Sequence, residues 1–201
     1  MSLSPNKRQA ILTAARNIFL RLGYSGASME AIAEEAPVSK PTLYNHFHSK
    51  HELFAAVIVD HCSDTLIASL NSARESIRDP AEGLKTIARS FVDVVYDPAS
   101  LALYRTLIAE QQQFPELGAW VFESSAQPVI DAITDYLTQL HAQGKLMVPD
   151  PSQSGQFLLG LLKGIPHLRC LLGIQKTLTL SEREMLVEEA LLLFLRGHGH
   201  G

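Results

Sequence analysis

The stretch Ser39-Lys40-Pro41-Thr42-Leu43-Tyr44-Asn45-His46-Phe47 holds the residue types in this chain best suited to chemistry, and that chemistry is recognition of a nucleic acid. Leu43 and Phe47, four positions apart, supply an inward helix face, which turns Lys40, Pro41, Thr42, Tyr44, Asn45 and His46 outward. Lys40 can donate to guanine or to phosphate, the Pro41 ring and the Thr42 methyl can touch a thymine methyl, and Asn45 can hydrogen-bond a base edge. Tyr44, His46 and Lys50 are placed to grip phosphate. Ser28 and the free amides of the turn that follows it form a further phosphate-binding candidate, because helix amino termini attract anions.

The surrounding elements must present that row. A short helix after Ser28 contains Met29, Ile32, Ala33 and Ala36, the connection Pro37-Val38 is very short, and Ser39 is free to cap the next helix. That is a helix-turn-helix, in which one helix braces a second whose amino-terminal end enters the DNA major groove. A helix after Ser4-Pro5 precedes the pair, with Ile11, Ala14, Ala15, Ile18, Phe19 and Leu22 on one face and a stop at Gly23. Ser49-Lys50-His51-Glu52 reads as a capping box opening a fourth helix to about Ile77, roughly 40 Å long at about 1.5 Å per residue.

Helical periodicity continues to the end, and no stretch alternates convincingly as a strand. Asp79-Pro80-Ala81-Glu82 opens a helix that runs to the Asp97-Pro98 break, and another covers Ala99 to Gln112. From Pro115 to Gln143 the serines at 124 and 125 and Pro128 predict two helices or one kinked helix, capped by Gly144. The last two helices are expected over Ser152–Leu172 and, after a Ser181-Glu182-Arg183-Glu184 capping box, Glu182–Arg196. Leucines surround more of these two than a single core face needs, which points to burial against a partner chain.

Composition sets the class. With 201 residues, 46% hydrophobic and 19% charged, the chain can bury a proper core. Its longest apolar runs fall short of the roughly 18 to 20 residues of a membrane span, and no export signal opens the sequence, so a soluble cytoplasmic protein is expected. The net charge of −4 hides a division: residues 1–51 carry six Lys and Arg against three acids, and the remainder is strongly acidic. A basic head on an acidic body suits a first quarter that meets a polyanion. No GxGxxG, GxxxxGK, HExxH or GxSxG spacing is present, so no enzyme and no cofactor is expected. Metal sensing through His48 and His51 or the terminal His198 and His200, and redox switching at Cys62, are the weaker sensory alternatives; no metal site is assigned.

Residues 7–54 resemble the DNA-binding domain of tetracycline-repressor-type (TetR) regulators. The likeness rests on Phe19-Leu20-Arg21-Leu22-Gly23-Tyr24, Ser28-Met29-Glu30-Ala31-Ile32-Ala33 and Val38-Ser39-Lys40-Pro41-Thr42-Leu43-Tyr44-Asn45-His46-Phe47-His48-Ser49-Lys50. The segment Ile108-Ala109-Glu110 through Phe114-Pro115-Glu116-Leu117 is similar to the AefR-like subgroup. The resemblance implies an all-α fold, with a three-helix DNA-binding domain at 1–50 and a larger helical ligand-sensing and dimerisation domain at 51–201. It implies a homodimer on a palindromic operator in double-stranded DNA, repressing until a small-molecule effector releases it.

The final two helices of each chain would form the dimer interface through residues such as Phe157, Leu161, Leu168, Leu186, Ala190 and Phe194. Phe91, Tyr104, Trp120 and Phe122 would line an apolar effector cavity, with Arg105, Gln111 or His167 as polar contacts. One departure stands out: the family often has glycine where this chain has Pro37, so a slightly altered turn is expected there.

Overall fold

The computed structural model describes residues 5–75 and 79–199, with side chains described except at 5, 62–65, 67 and 73–75. The expected cap at Ser4, the helix end at Ile77, the Cys62 thiol and His200 lie outside the described residues. Within them the chain is all helical: α1 (Pro5–Gly26), α2 (Met29–Glu35), α3 (Lys40–Tyr44), α4 (Lys50–Glu75), α5 (Pro80–Val95), α6 (Pro98–Glu110), α7 (Pro115–Val121), a π-helical turn (Phe122–Ala126), α8 (Gln127–Ala142), α9 (Pro151–Leu171) and α10 (Leu180–Gly197). The chain forms two compact units, Met1–His61 with Ala102–Ser125 and Cys62–Leu101 with Ala126–Gly201.

In the first unit Gly23, at φ 70° and ψ 177°, breaks helical geometry near the end of α1, where the sequence predicts the stop. Ser28 and Ser39 cap α2 and α3 by accepting from the amides of Ala31 and Thr42. These helices have only seven and five residues, too few to stand alone, and they are held by a shared core. Ile11, Ile18, Phe19, Ile32, Leu43, Leu53 and Phe54 are fully buried there, and Phe54 meets the Phe19 and Tyr24 rings edge-on at 4.9 and 5.3 Å. Half of the expected capping box at Ser49 forms. The Glu52 amide donates to Ser49 Oγ, but the Glu52 carboxylate accepts from the His48 amide instead of reaching back to Ser49.

The second unit is built on longer helices around one apolar cluster that includes Leu84, Ile87, Ile133, Tyr136, Leu137, Leu158, Leu162, Val187 and Phe194. The expected doubt over 115–143 resolves as a π-helical turn between α7 and α8. Pro128 has no N–H to donate to the preceding turn, and the Ser125 hydroxyl donates to the Val121 carbonyl four residues before it. The two last helices begin earlier than expected. Asp150 caps α9, and Thr179, not Ser181, forms the capping box of α10 with Glu182.

The distortion expected at Gly164-Ile165-Pro166 is present, with Gly164 at φ 48° and ψ −156° inside α9. Pro166 has no N–H to give the Leu162 carbonyl, and the Tyr96 hydroxyl takes its place, donating to Lys163 O at 2.6 Å and Leu162 O at 3.3 Å. His167 is buried beside this break, edge-on to the Tyr96 ring at 5.6 Å.

Candidate nucleic-acid interface

The outward row of α3 is as the spacing predicts: Ser39, Lys40, Pro41, Tyr44 and Asn45 are exposed, Thr42 and His46 half-buried, and Leu43 and Phe47 buried beneath them. Ser39 does more than cap its helix, because its hydroxyl also meets Thr42 Oγ1 at 2.7 Å and so fixes that side chain on the outer face. The Lys40 ammonium forms an ion pair with Glu30 of α2 and stands 5.7 Å from the centre of the Tyr44 ring, one turn further along α3. Asn45 follows the last helical residue, its amide bonded to the Pro41 carbonyl. Ser28 is exposed at the start of α2.

The turn between the two helices keeps its helix stop despite Pro37. The Val38 amide donates to the Ala33 carbonyl at 3.0 Å, the outer bond of a Schellman motif. Pro37 lies where that motif requires positive φ, and its φ is 21°, far from the ring's preferred value of about −65°. The proline also lacks the N–H that would make the motif's inner bond. The departure from the family pattern therefore costs strain and one hydrogen bond while the turn itself survives.

Lys50 is where expectation and structure part. Its ammonium turns inward, donating to the carbonyls of Tyr24 and Ala27 at 2.8 and 2.9 Å and lying 4.5 Å from the centre of the Tyr24 ring. Burial lowers its pKa, and the Glu110 carboxylate partly offsets that. The carbonyls concerned end α1 just before Ser28, so the strong donors of Lys50 close the α1–α2 corner instead of standing ready for phosphate. The same corner is tied to α6: both Glu110 carboxylate oxygens accept from Ser25, one from its amide at 3.1 Å and one from its hydroxyl at 2.6 Å, and Phe114 packs edge-on to Tyr24. Burial, with Glu116 and Glu110 nearby, pushes the Tyr24 phenol up to about 12.

Three of the six Lys and Arg residues of the first quarter are paired with carboxylates on other elements. Arg21 pairs with Glu35 at 2.9 Å, Arg8 faces Asp60 and Lys40 holds Glu30. Sequence spacing does not reveal these pairs, since each joins two elements.

The six candidate effector contacts fall in both units. Phe91 and His167 are buried in the second. Tyr104, Arg105, Trp120 and Phe122 belong to the first, where all four are exposed and Trp120 packs against His51. Gln111 is exposed as well. Burial, and next the Lys163 charge, push the His167 imidazole down to about 4.

Of the expected dimer residues, Phe157, Leu161 and Leu168 are exposed on α9, and Leu186 is half-buried. Ala190 and Phe194 are corrected: both lie in the core of the second unit, at 4% and 3% exposure. The large apolar residues exposed on α10 are Leu180 at its start and Met185, Leu192 and Leu193 further along. The tail histidine His198 is packed, its ring between Ser154 Oγ at 2.9 Å and the Phe194 carbonyl at 2.7 Å. Among the described residues no group of three metal-ligating side chains assembles.

Residues 11–57 match the model of bacterial regulatory proteins of the tetR family, and residues 82–200 match the AefR-like transcriptional repressor C-terminal domain. The HTH-type transcriptional activator FasR of Mycolicibacterium smegmatis is 38% identical over 89 residues, 44% of this chain and 40% of that protein's length. A TetR-family regulator from Mesorhizobium loti superposes with a TM-score of 0.84 at 27% identity, covering 98% of this chain and all of that one. The flavonoid-responsive regulator FrrA superposes with a TM-score of 0.71 at 30% identity over 97% and 98% of the two chains. With both family models matched in order and the fold shared along its length, the chain belongs to the tetR family of bacterial transcriptional regulators.

Proposed function

We propose that the protein is a homodimeric repressor that reads a palindromic operator through α3 and leaves it when a small molecule binds. The observation that carries the reading is the α3 surface, where Lys40, Pro41, Tyr44 and Asn45 stand exposed over buried Leu43 and Phe47 and Ser39 fixes Thr42 beside them. Lys40, Thr42 and Asn45 meet base edges, and Ser28, Ser39, Tyr44 and His46 meet phosphate. Lys50 serves the same surface indirectly by closing the corner that carries Ser28.

Two copies are needed because one five-residue helix reads only a half-site, and a two-fold dimer places two such helices about 34 to 36 Å apart in successive major grooves. Exposed Phe157, Leu161, Ile165 and Leu168 on α9, with Met185, Leu192 and Leu193 on α10, are the apolar faces for that dimer. Phe91 and His167 remain the effector contacts of the second unit. The name of FrrA, flavonoid-responsive, favours an aromatic or amphipathic effector. No described helix is long and apolar enough to cross a membrane, in keeping with a regulator that works beside DNA in the cytoplasm.

Selection from a randomised duplex library tests the reading. The parent should enrich a palindrome, and Tyr44→Ala should lose it; a parent that enriches no two-fold motif would remove the proposal.

A further inference from the structure

The first turn of α2 lays a carboxylate on the recognition helix. Glu30 pairs with Lys40, the one lysine of α3, and both side chains remain about half exposed. The pair is fixed from both ends. Hydrogen bonds from Lys40 and from its own backbone amide hold the Glu30 carboxyl below its usual range, and the carboxylate holds the Lys40 ammonium above its own. The Tyr44 ring adds a third side to the ammonium's surroundings.

A lysine whose charge is already met by a carboxylate contributes little to the counterion release that drives binding to any duplex regardless of sequence. An ammonium nonetheless has three N–H donors, and Glu30 does not use them all. On the right sequence Lys40 can keep Glu30 and donate to the O6 and N7 acceptors of a guanine, which lie in the groove and not on the backbone. The carboxylate also repels phosphate, so a misplaced head meets a penalty that a correctly seated one avoids.

Resting on the proposed reading of DNA through α3, we propose that Glu30 is a specificity-determining residue that withholds Lys40 from phosphate and positions it for a base edge. Its effect is to weaken binding to unrelated duplexes more than binding to the operator.

The test measures affinity of the full chain for a duplex of unrelated sequence and for the selected duplex across a range of salt concentrations. The proteins compared are the parent, Glu30→Gln, Lys40→Met and the double variant. With Glu30→Gln the slope of log affinity against log salt on the unrelated duplex should steepen by about one phosphate contact, and the preference for the selected duplex should fall several-fold. Both changes should vanish when Lys40→Met is also present. An unchanged slope, or a steepening that persists without Lys40, overturns the inference, the latter because it would reflect only a lost negative charge. If the parent selects no duplex, the reading through α3 fails, while the slopes on unrelated DNA still decide whether Glu30 holds Lys40. A parent that binds no duplex removes both.

Discussion

The first unit holds short helices with bonds from side chains to main chain, whereas the second holds long helices by burying wide apolar faces. Around α2 and α3, hydroxyl caps, the Lys50 ammonium on two carbonyls and the Ser25–Glu110 bonds fix the backbone, and the outer side chains of α3 stay available. In the second unit α5, α8, α9 and α10 share one core and still carry large apolar residues on their outer surfaces, such as Phe157 and Leu193 at 59% and 61% exposure. A five-residue helix buries too little to be placed by its core contact at Leu43 alone, so capping and tethers add to what the shared core supplies. A helix of about twenty residues can serve a core and still offer a second face to a partner.

That contrast can be broken first at α10, where adjacent residues should behave oppositely. Phe194→Ala removes a core side chain and should cost about 3–5 kcal/mol of stability. Leu193→Ala, on the outer face, should change the stability of the isolated chain by less than about 0.5 kcal/mol. Chemical unfolding of the two variants at low concentration checks both, and equal losses would contradict the assignment of faces.

The second test uses the buried imidazole. His167 titrates near 4 in the folded chain and near 6.5 when unfolded, so it is neutral in both states above pH 6.5. As pH falls below that value the unfolded chain gains a proton that the folded one refuses. Stability is therefore lost between about 6.5 and 4, by about 3 kcal/mol in all, and no further below. Unfolding midpoints at pH 7 and pH 4.5 should show the fall, and His167→Gln should flatten it.

A smaller effect sharpens the account of the turn. Glycine accepts the positive φ that Pro37 is forced into and restores an N–H for the inner Schellman bond. Pro37→Gly should stabilise the first unit by about 1 kcal/mol, the relief of strain outweighing the added freedom of the unfolded chain. Thermal unfolding measures it, and a lowered midpoint would show that the proline is accommodated without strain.

Much of the fold was legible because its punctuation is local. Ser28, Ser39 and Asp79 cap where they should, and Gly23 and the Gly164–Pro166 stretch break their helices where expected. The inward pair Leu43 and Phe47 was legible from its spacing, and so was the outward row it defines. What escaped reading depends on contacts between elements. Lys50 sits at the right place for phosphate, and only the folded corner reveals the carbonyls of Tyr24 and Ala27 beneath it. Glu30 lies ten residues from Lys40 in sequence, a distance at which no pattern rule predicts an ion pair. In α10 the run Ala190–Leu195 is wholly apolar, so it carries no polar contrast to separate the core residues Ala190 and Phe194 from outward Leu192 and Leu193. α10 starts earlier than expected because Thr179 and Ser181 are both capping residues with Glu three positions on, and it is Thr179 that exchanges bonds with Glu182 in the fold.

The most direct test of the whole account is duplex selection with the parent and with Leu193→Glu, which places a charge on the outer face of α10 and leaves α3 untouched. The account predicts a palindrome for the parent and, for the variant, a single half-site of the same bases held with much weaker affinity. A variant that still selects the full palindrome would contradict the dimer face, and a parent that selects no two-fold motif would contradict the reading of DNA through α3.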